Sequence, residues 1–115
     1  MVRRWIQSAD VEITGNYELL VANRSAATAN TTRVNVTSAG QTALAANPNR
    51  ICAVLVNDSD TDIYITLGAT PALNMGIKLN AYGGSFTITA ANLYTGPITA
   101  ICTATTAKNL LVTQY

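Results

Sequence analysis

The chain has 115 residues, which is enough for one domain with a modest core and too few for two. Its formal net charge is +1 and charged residues make up only 11%, so it lacks the basic surface that a duplex nucleic-acid-binding protein needs. No apolar run is long enough to span a membrane, and no apolar segment after Arg3 and Arg4 forms a secretion signal. We therefore expect a protein that binds neither nucleic acid nor membrane.

Residues 1–32 are predicted to form an extended N-terminal arm and linker. Residues 17–22 (YELLVA) fit a strand or one helical turn, and we favour the strand. Residues 23–32 (NRSAATANTT) have no periodicity and are typical of a linker. Trp and Arg are favoured at the desolvated centres of protein interfaces, so the arm is a candidate anchor on a neighbouring subunit. The alternative is that Trp5 packs back on the domain's own surface. The candidate interface residues of the arm are Arg3, Arg4, Trp5 and Ile6.

Residues 33–115 are predicted to form a single β-domain. Period-2 alternation and short β-branched runs predict strands at 34–37, 51–56, 61–67, 76–79, 85–89, 98–103 and 110–114. The segment 41–46 is too short for a stable helix, and it predicts a loop or an edge strand. Strands at roughly ten-residue spacing, separated by turn signals, favour an all-β fold. We expect an antiparallel β-sandwich of the jelly-roll kind or a small barrel, with the strand order left open.

The segments 51–56 and 61–67 predict a central hairpin. The first is a continuous apolar run, and the second places Ile63, Ile65 and Leu67 on one face. The polar residues between them are typical of a turn. The two cysteines, Cys52 and Cys102, lie in different predicted strands, and they are either two buried free thiols or one disulfide.

The sequence offers little for catalysis. It contains no His, no CxxC pair and no glycine-rich phosphate loop, so we expect neither an enzyme nor a cofactor. Asp58, Asp60 and Asp62 alternate as the first ligands of a calcium loop do, but Ile63 stands where that loop needs Gly and Ala69 where it needs Glu. The more economical interpretation is a structural turn, because Asp side chains accept hydrogen bonds from nearby backbone amides.

Three residues at the edge of the predicted domain are further interface candidates, namely Arg50, Tyr82 and Tyr94. Arg50 follows an Asn-Pro-Asn turn, where it is either a solvated charge or a donor to a neighbouring carboxylate or carbonyl. Tyr82 and Tyr94 lie in predicted loops. There they serve packing or an interface, or they form a stacking platform for a carbohydrate.

Four segments together resemble small structural proteins of tailed bacteriophages. They are NPNRICAVLVNDSDTDIYITLG at 47–68, GIKLNAYGGSFTI at 76–88, NLYTGPITAI at 92–101 and NLLVTQY at 109–115. The resemblance spans residues 33–115 and implies a component of the virion. It does not cover the arm.

The resemblance, together with the arm, leads us to expect a capsid decoration (cement) protein on the capsid surface, made in the host cytoplasm. Its expected partners are the major capsid protein or another virion protein and further copies of itself, with a homotrimer favoured. Two alternatives remain open. One is a tail or neck adaptor or fibre-base module of the virion, and the other is a carbohydrate-binding β-sandwich.

Overall fold

The computed structural model describes residues 25–115 of the chain. The predicted interface residues of the arm, Arg3, Arg4, Trp5 and Ile6, lie outside this range. So does the strand predicted at residues 17–22. Within the described range no helix is long and apolar enough to cross a membrane.

Eight strands and one short 3₁₀ helix (Ala90–Asn92) build the described part of the chain. The strands are β1 (Asn30–Val36), β2 (Gln41–Leu44), β3 (Ala53–Asn57), β4 (Ile63–Leu67), β5 (Ile77–Leu79), β6 (Ser85–Ile88), β7 (Ile98–Cys102) and β8 (Lys108–Gln114). The all-β prediction is confirmed. The first strand begins four residues earlier than predicted, and the segment at 41–46 contains an edge strand.

The strands form two four-stranded antiparallel sheets. Sheet A has the order β1-β8-β3-β6, and sheet B has the order β2-β7-β4-β5. In sheet A, Leu55 of β3 lies opposite Val112 on one side and Phe86 on the other. In sheet B, Ile65 of β4 lies between Ala100 and Ile77. Each sheet therefore has a central strand pair that is flanked by strands on both sides.

Both sheets contribute alternate residues to one core. Along β3 and β4 every second residue is buried, as period-2 patterning predicts for strands with one face in the core. The buried apolar residues are Val36, Ala43, Leu44, Ala53, Leu55, Ile63, Ile65, Leu79, Ile88, Ile98, Ala100, Cys102, Leu110 and Val112. Ile88 is fully buried in this core, and Phe86 is partly buried against it.

The predicted hairpin between residues 51–56 and 61–67 is wrong. These segments become β3 and β4, which belong to different sheets. The chain passes from sheet A to sheet B between β3 and β4, and Asn57 at the end of β3 stabilises this passage. Its buried Nδ2 group donates to the carbonyl oxygens of Thr61 (2.8 Å) and Leu79 (2.9 Å). Leu79 lies in sheet B, so this side chain holds the two sheets together. Local alternation predicts a strand but does not identify its partner.

The connections between strands gather at two ends. The acidic end comprises residues 37–40, 58–62, 80–84 and 103–107, which are joined by bonds such as Ser38 N to Ala104 O and Tyr82 N to Ser59 O. The clamp end comprises residues 25–29, 45–52, 68–69 and 89–97 together with Tyr115, which are joined by bonds such as Asn47 N to Thr95 O. Residues 70–76 turn back along sheet B, where Pro71 lies against Gly40 and Asn74 accepts a bond from the Tyr64 hydroxyl at 3.0 Å. Strand β3 runs from the clamp end to the acidic end and is about 17 Å long at ~3.3 Å per residue.

Candidate functional site

Arg50 is the centre of the clamp end. Its side chain is fully buried. Its Nη2 group donates to the carbonyl oxygen of Ala45 (2.7 Å), and Nη1 donates to those of Tyr94 (2.9 Å) and Gly96 (3.1 Å). Its Nε group donates to Oε1 of Gln114 at 3.0 Å. One guanidinium therefore joins the β2–β3 connection, the β6–β7 connection and the end of β8.

The charge of Arg50 is compensated by neutral oxygens. No carboxylate within residues 25–115 forms an ion pair with it. Burial lowers the pKa of the guanidinium, and the nearby Tyr94 acts in the opposite direction. Arginine nevertheless keeps its proton in proteins, so the clamp contains a buried cation. The prediction of a bond to a neighbouring carbonyl is confirmed, and the solvated alternative is wrong. Because no side-chain surface is exposed, Arg50 shapes this end from inside rather than touching a partner.

Backbone bonds attach the β4–β5 connection to the same assembly. The amide of Gly68 donates to the carbonyl oxygen of Pro97 at 2.9 Å, and Oγ1 of Thr99 donates to that of Ala69 at 2.7 Å. The hydroxyl of Tyr94 also donates to Pro97 O, at 3.0 Å. The three connections of the clamp end are thus tied to one another, so its outer surface is fixed by the fold.

The two candidate tyrosines lie at opposite ends of the domain. Tyr94 is half-buried at the clamp end, where it packs against the core. Tyr82 lies in the β5–β6 turn of the acidic end, is 82% exposed and has a φ of 61°. The length of β3 separates them, so a carbohydrate platform built from both tyrosines is wrong. Each remains an interface candidate on its own side.

The Asp-rich loop at the acidic end is held by local bonds. The hydroxyl of Ser59 donates to Asn57 Oδ1 (2.6 Å) and to the carbonyl oxygen of Thr61 (2.9 Å). Asp60 pairs with Lys108 at 2.8 Å. These contacts agree with the predicted structural turn.

Asp62 also forms bonds within the acidic end. Its Oδ1 accepts a bond from the Ala81 amide (2.8 Å), and its Oδ2 pairs with Lys78 (3.3 Å). The bond from Ala81, followed by the one from Lys78, holds the pKa of Asp62 below its ordinary value, and the bond from Lys108 does so for Asp60. Among residues 25–115 no three His, Cys, Asp or Glu side chains are grouped to hold a metal ion. The calcium pattern of the sequence is therefore not matched by a cluster of ligands in the described chain.

A cleft of about 390 Å³ opens at the clamp end. Residues 25–28, which precede β1, form one wall. The opposite wall includes Asn47, Asn49, Ile51 and Tyr115. The chain therefore enters the described domain at the clamp end, beside the connections that Arg50 holds.

Both cysteines are free thiols. Cys102 is buried at the end of β7, where its Sγ donates to the carbonyl oxygen of Val36 at 3.4 Å. Cys52 is half-buried just before β3 at the clamp end. The free-thiol prediction is confirmed, although only Cys102 is fully buried. The disulfide alternative is wrong.

Two residues that organise the domain were not singled out from the sequence. Asn57 and Gln114 sit in strands whose patterns were interpreted only in terms of apolar faces. An Asn at a position that alternation assigns to the core is a usable signal, because a buried amide must be hydrogen-bonded. Gln114 carries no comparable signal, since its partner Arg50 is 64 positions away in the chain.

No protein-family model, curated protein or solved structure matches the chain.

Proposed function

We propose that this chain is a structural protein of a tailed-bacteriophage virion, and that it is a decoration protein that binds the assembled head and bridges capsid subunits. The observation that carries the proposal is the strand order. Sheets β1-β8-β3-β6 and β2-β7-β4-β5 alternate along the chain, and among the eight described strands only β4 and β5 follow each other within one sheet. This order supports a jelly roll, the architecture we infer here, which is found in viral capsid proteins and lectins.

The use of polar side chains supports a structural role. Arg50 donates hydrogen bonds that hold two connections together, and Asn57 donates one that links the two sheets. Asp60 and Asp62 form ion pairs with Lys108 and Lys78 at the acidic end. These polar side chains therefore stabilise the fold of the described domain, which is consistent with a structural role in an assembly.

The mechanism that follows is stabilisation by binding. A protein that binds the assembled shell, but not its separated subunits, shifts the equilibrium toward the shell by mass action. The described chain enters the domain at the clamp end. On this proposal the arm anchors the domain, since Trp and Arg are favoured at interface centres.

Binding to heads tests the proposal. The full-length chain is mixed with heads of the phage that encodes it, stripped of the native protein, and sedimented. We expect saturable co-sedimentation and a higher temperature of DNA release. A Trp5→Ala/Arg4→Ala variant should bind more weakly while keeping the same circular dichroism, and Arg33→Ala, on an exposed position of β1, is the matched control. Failure of the wild-type chain to bind heads would refute the decoration role, and binding to tails instead would favour the neck or tail alternative.

A further inference from the structure

The cleft at the clamp end is polar but carries no charged side chain. Amide side chains dominate its lining, and they are those of Asn30, Asn47, Asn49 and Gln114. Tyr115 and Ile51 line it as well, whereas no Lys, Arg, Asp or Glu of residues 25–115 does. Its volume of about 390 Å³ falls within the range of small-molecule sites, roughly 300–1,000 Å³. The cleft is therefore large enough for a small polar ligand.

The amide of Gln114 has a fixed orientation in this cleft. Its Oε1 accepts bonds from Nε of Arg50 (3.0 Å) and from Nδ2 of Asn47 (3.3 Å). A guanidinium can only donate hydrogen bonds, so the oxygen of Gln114 faces Arg50 and the Nε2 group lies on the other side of the amide. Nε2 donates no bond to another group of residues 25–115. Gln114 therefore holds two N–H donors in an orientation that a buried cation sets.

The Asn-Pro-Asn turn supplies two further amides to the cleft. Oδ1 of Asn47 accepts a bond from the backbone amide of Asn49 at 3.0 Å, and its Nδ2 group donates to Gln114. The side chain of Asn49 is exposed and forms no hydrogen bond within the described chain. Because the Asn47 and Gln114 side chains are already ordered, a ligand that binds here loses little affinity to side-chain ordering.

We propose that this cleft is a binding site for a neutral saccharide. A sugar hydroxyl both donates and accepts hydrogen bonds, and a side-chain amide offers a donor and an acceptor in return. An anionic ligand would find no free cation, because Arg50 is fully buried and bonded to Gln114 and to backbone carbonyls. An apolar ligand would leave the amide groups desolvated and unpaired, which is unfavourable.

Tyr115 suits the same ligand. Its backbone is fixed at the cleft, since its amide donates to Cys52 O at 2.9 Å and its carbonyl accepts from the Ile51 amide at 2.8 Å. Its side chain is 42% exposed, and a tyrosine offers an apolar ring together with a polar hydroxyl. A sugar ring has the matching combination of C–H groups and hydroxyls. The site uses neither Tyr82 nor Tyr94, and it does not depend on binding to heads.

Nuclear magnetic resonance of the ¹⁵N-labelled full-length chain tests the proposal. The probes are glucose, galactose, mannose, N-acetylglucosamine and the disaccharides lactose, maltose and chitobiose, each titrated to about 10 mM. We expect at least one of them to shift the side-chain NH₂ signals of Gln114 and Asn49 saturably, with a Kd of about 1 mM or lower. N-acetylneuraminic acid, which is anionic, should bind at least about tenfold more weakly than that saccharide.

Gln114→Glu is the sharpest variant. It keeps an oxygen for Arg50 and Asn47 but removes the Nε2 donors, so it should raise the Kd of the bound saccharide at least about tenfold. Asn49→Ala should also raise the Kd, and it removes no hydrogen bond within residues 25–115. Tyr82→Ala, at the acidic end, is the control and should leave the Kd unchanged. Circular dichroism establishes that each variant is folded.

Four results would overturn the inference. They are no saturable shift with any of the neutral saccharides, shifts that map to the acidic end, wild-type affinity in both Gln114→Glu and Asn49→Ala, and tighter binding of N-acetylneuraminic acid. A capped Gly/Ser hexapeptide is titrated in parallel. If the peptide shifted the same NH₂ signals and no saccharide did, the cleft would be a peptide site and the assignment to saccharides would be wrong.

Discussion

The Nε group of Arg50 donates to Oε1 of Gln114 at 3.0 Å, which joins the β2–β3 connection to the last residue of β8. The same Oε1 also accepts a bond from Nδ2 of Asn47 at 3.3 Å. A bond between residues so far apart in sequence fixes the end of one strand against the start of another. The position of the strand ends at the clamp end therefore depends on the hydrogen bonds of the buried Arg50 side chain.

Replacement of Arg50 should destabilise the domain strongly. In Arg50→Leu the carbonyl oxygens of Ala45, Tyr94 and Gly96 lose their donor, and we expect unfolding free energy to fall by at least ~3 kcal/mol. Arg50→Lys keeps the charge but not the planar set of donors, so it should recover only part of this loss. Urea denaturation measures both.

Arg33→Leu is the matched control for this prediction, because Arg33 is exposed on β1. It should change the free energy of unfolding by no more than ~0.5 kcal/mol. If Arg50→Leu were as stable as Arg33→Leu, the bonds of the buried guanidinium would not hold the clamp end together.

Gly76 should tolerate a side chain less well than Gly83. Both have positive φ, 81° and 112°, so alanine is strained at either position. At Gly76 a Cβ would also collide with the carbonyl oxygen of Ile65, whereas at Gly83 it would meet nothing within 4 Å. We expect Gly83→Ala to cost about 1 kcal/mol and Gly76→Ala about 3 kcal/mol. Equal losses in thermal denaturation would mean that the contact with Ile65 is relieved by a small backbone shift.

The two thiols should differ in reactivity. Cys52 is half-buried, whereas Cys102 is fully buried and bonded to the Val36 carbonyl. An alkylating reagent should therefore modify Cys52 at least ~100-fold faster than Cys102, which reacts only after the core opens. Peptide mass spectrometry identifies the modified residue. Equal rates in the native protein, with both thiols equally reactive after unfolding in denaturant, would contradict the burial of Cys102.

Acidification should remove a stabilising contribution at the acidic end. The pKa values of Asp60 and Asp62 are lowered in the folded domain, chiefly by bonds from Lys108 and from the Ala81 amide. Their contribution is therefore complete above the unfolded carboxyl pKa of about 3.9 and is lost as the pH falls through the folded values. The double variant Asp60→Asn/Asp62→Asn should lose less stability than the wild type between pH 6 and pH 3.

Asp58→Asn is the control for the acid experiment, because Asp58 lies in the same loop but forms no ion pair within residues 25–115. Its stability should follow the wild-type pH dependence. If the double variant also followed the wild type, the two ion pairs and the Ala81 bond would not couple proton binding to folding.

Much of the secondary structure could be predicted from local patterns. Alternation at Ile63 and Ile65 indicates a strand with one buried face, and that is what the sheet requires. The pairing could not be predicted, because β3 and β4 have equally good inward faces whether they lie in one sheet or two. The bonds of Asn57 to Thr61 and Leu79 stabilise the arrangement in two sheets, and the bond to Leu79 joins residues 22 positions apart in the chain.

The candidate site was predictable only in part. Arg50 follows a turn, and its residue type suggested donation to a carbonyl. Its burial depends on the β6–β7 connection, which supplies the Tyr94 and Gly96 carbonyls from more than forty residues away. Tyr82 and Tyr94 look equivalent in sequence because both follow turn signals. The sheets separate them by placing successive connections at alternate ends.

The central claim is that the chain is a decoration protein of a phage head, and electron cryomicroscopy of intact particles of the encoding phage tests it most directly. The account predicts density for two packed four-stranded sheets repeated over the head surface, at sites where capsid subunits meet. Particles that lack the protein, or that carry it only as a single ring at the neck or tail, would contradict the account.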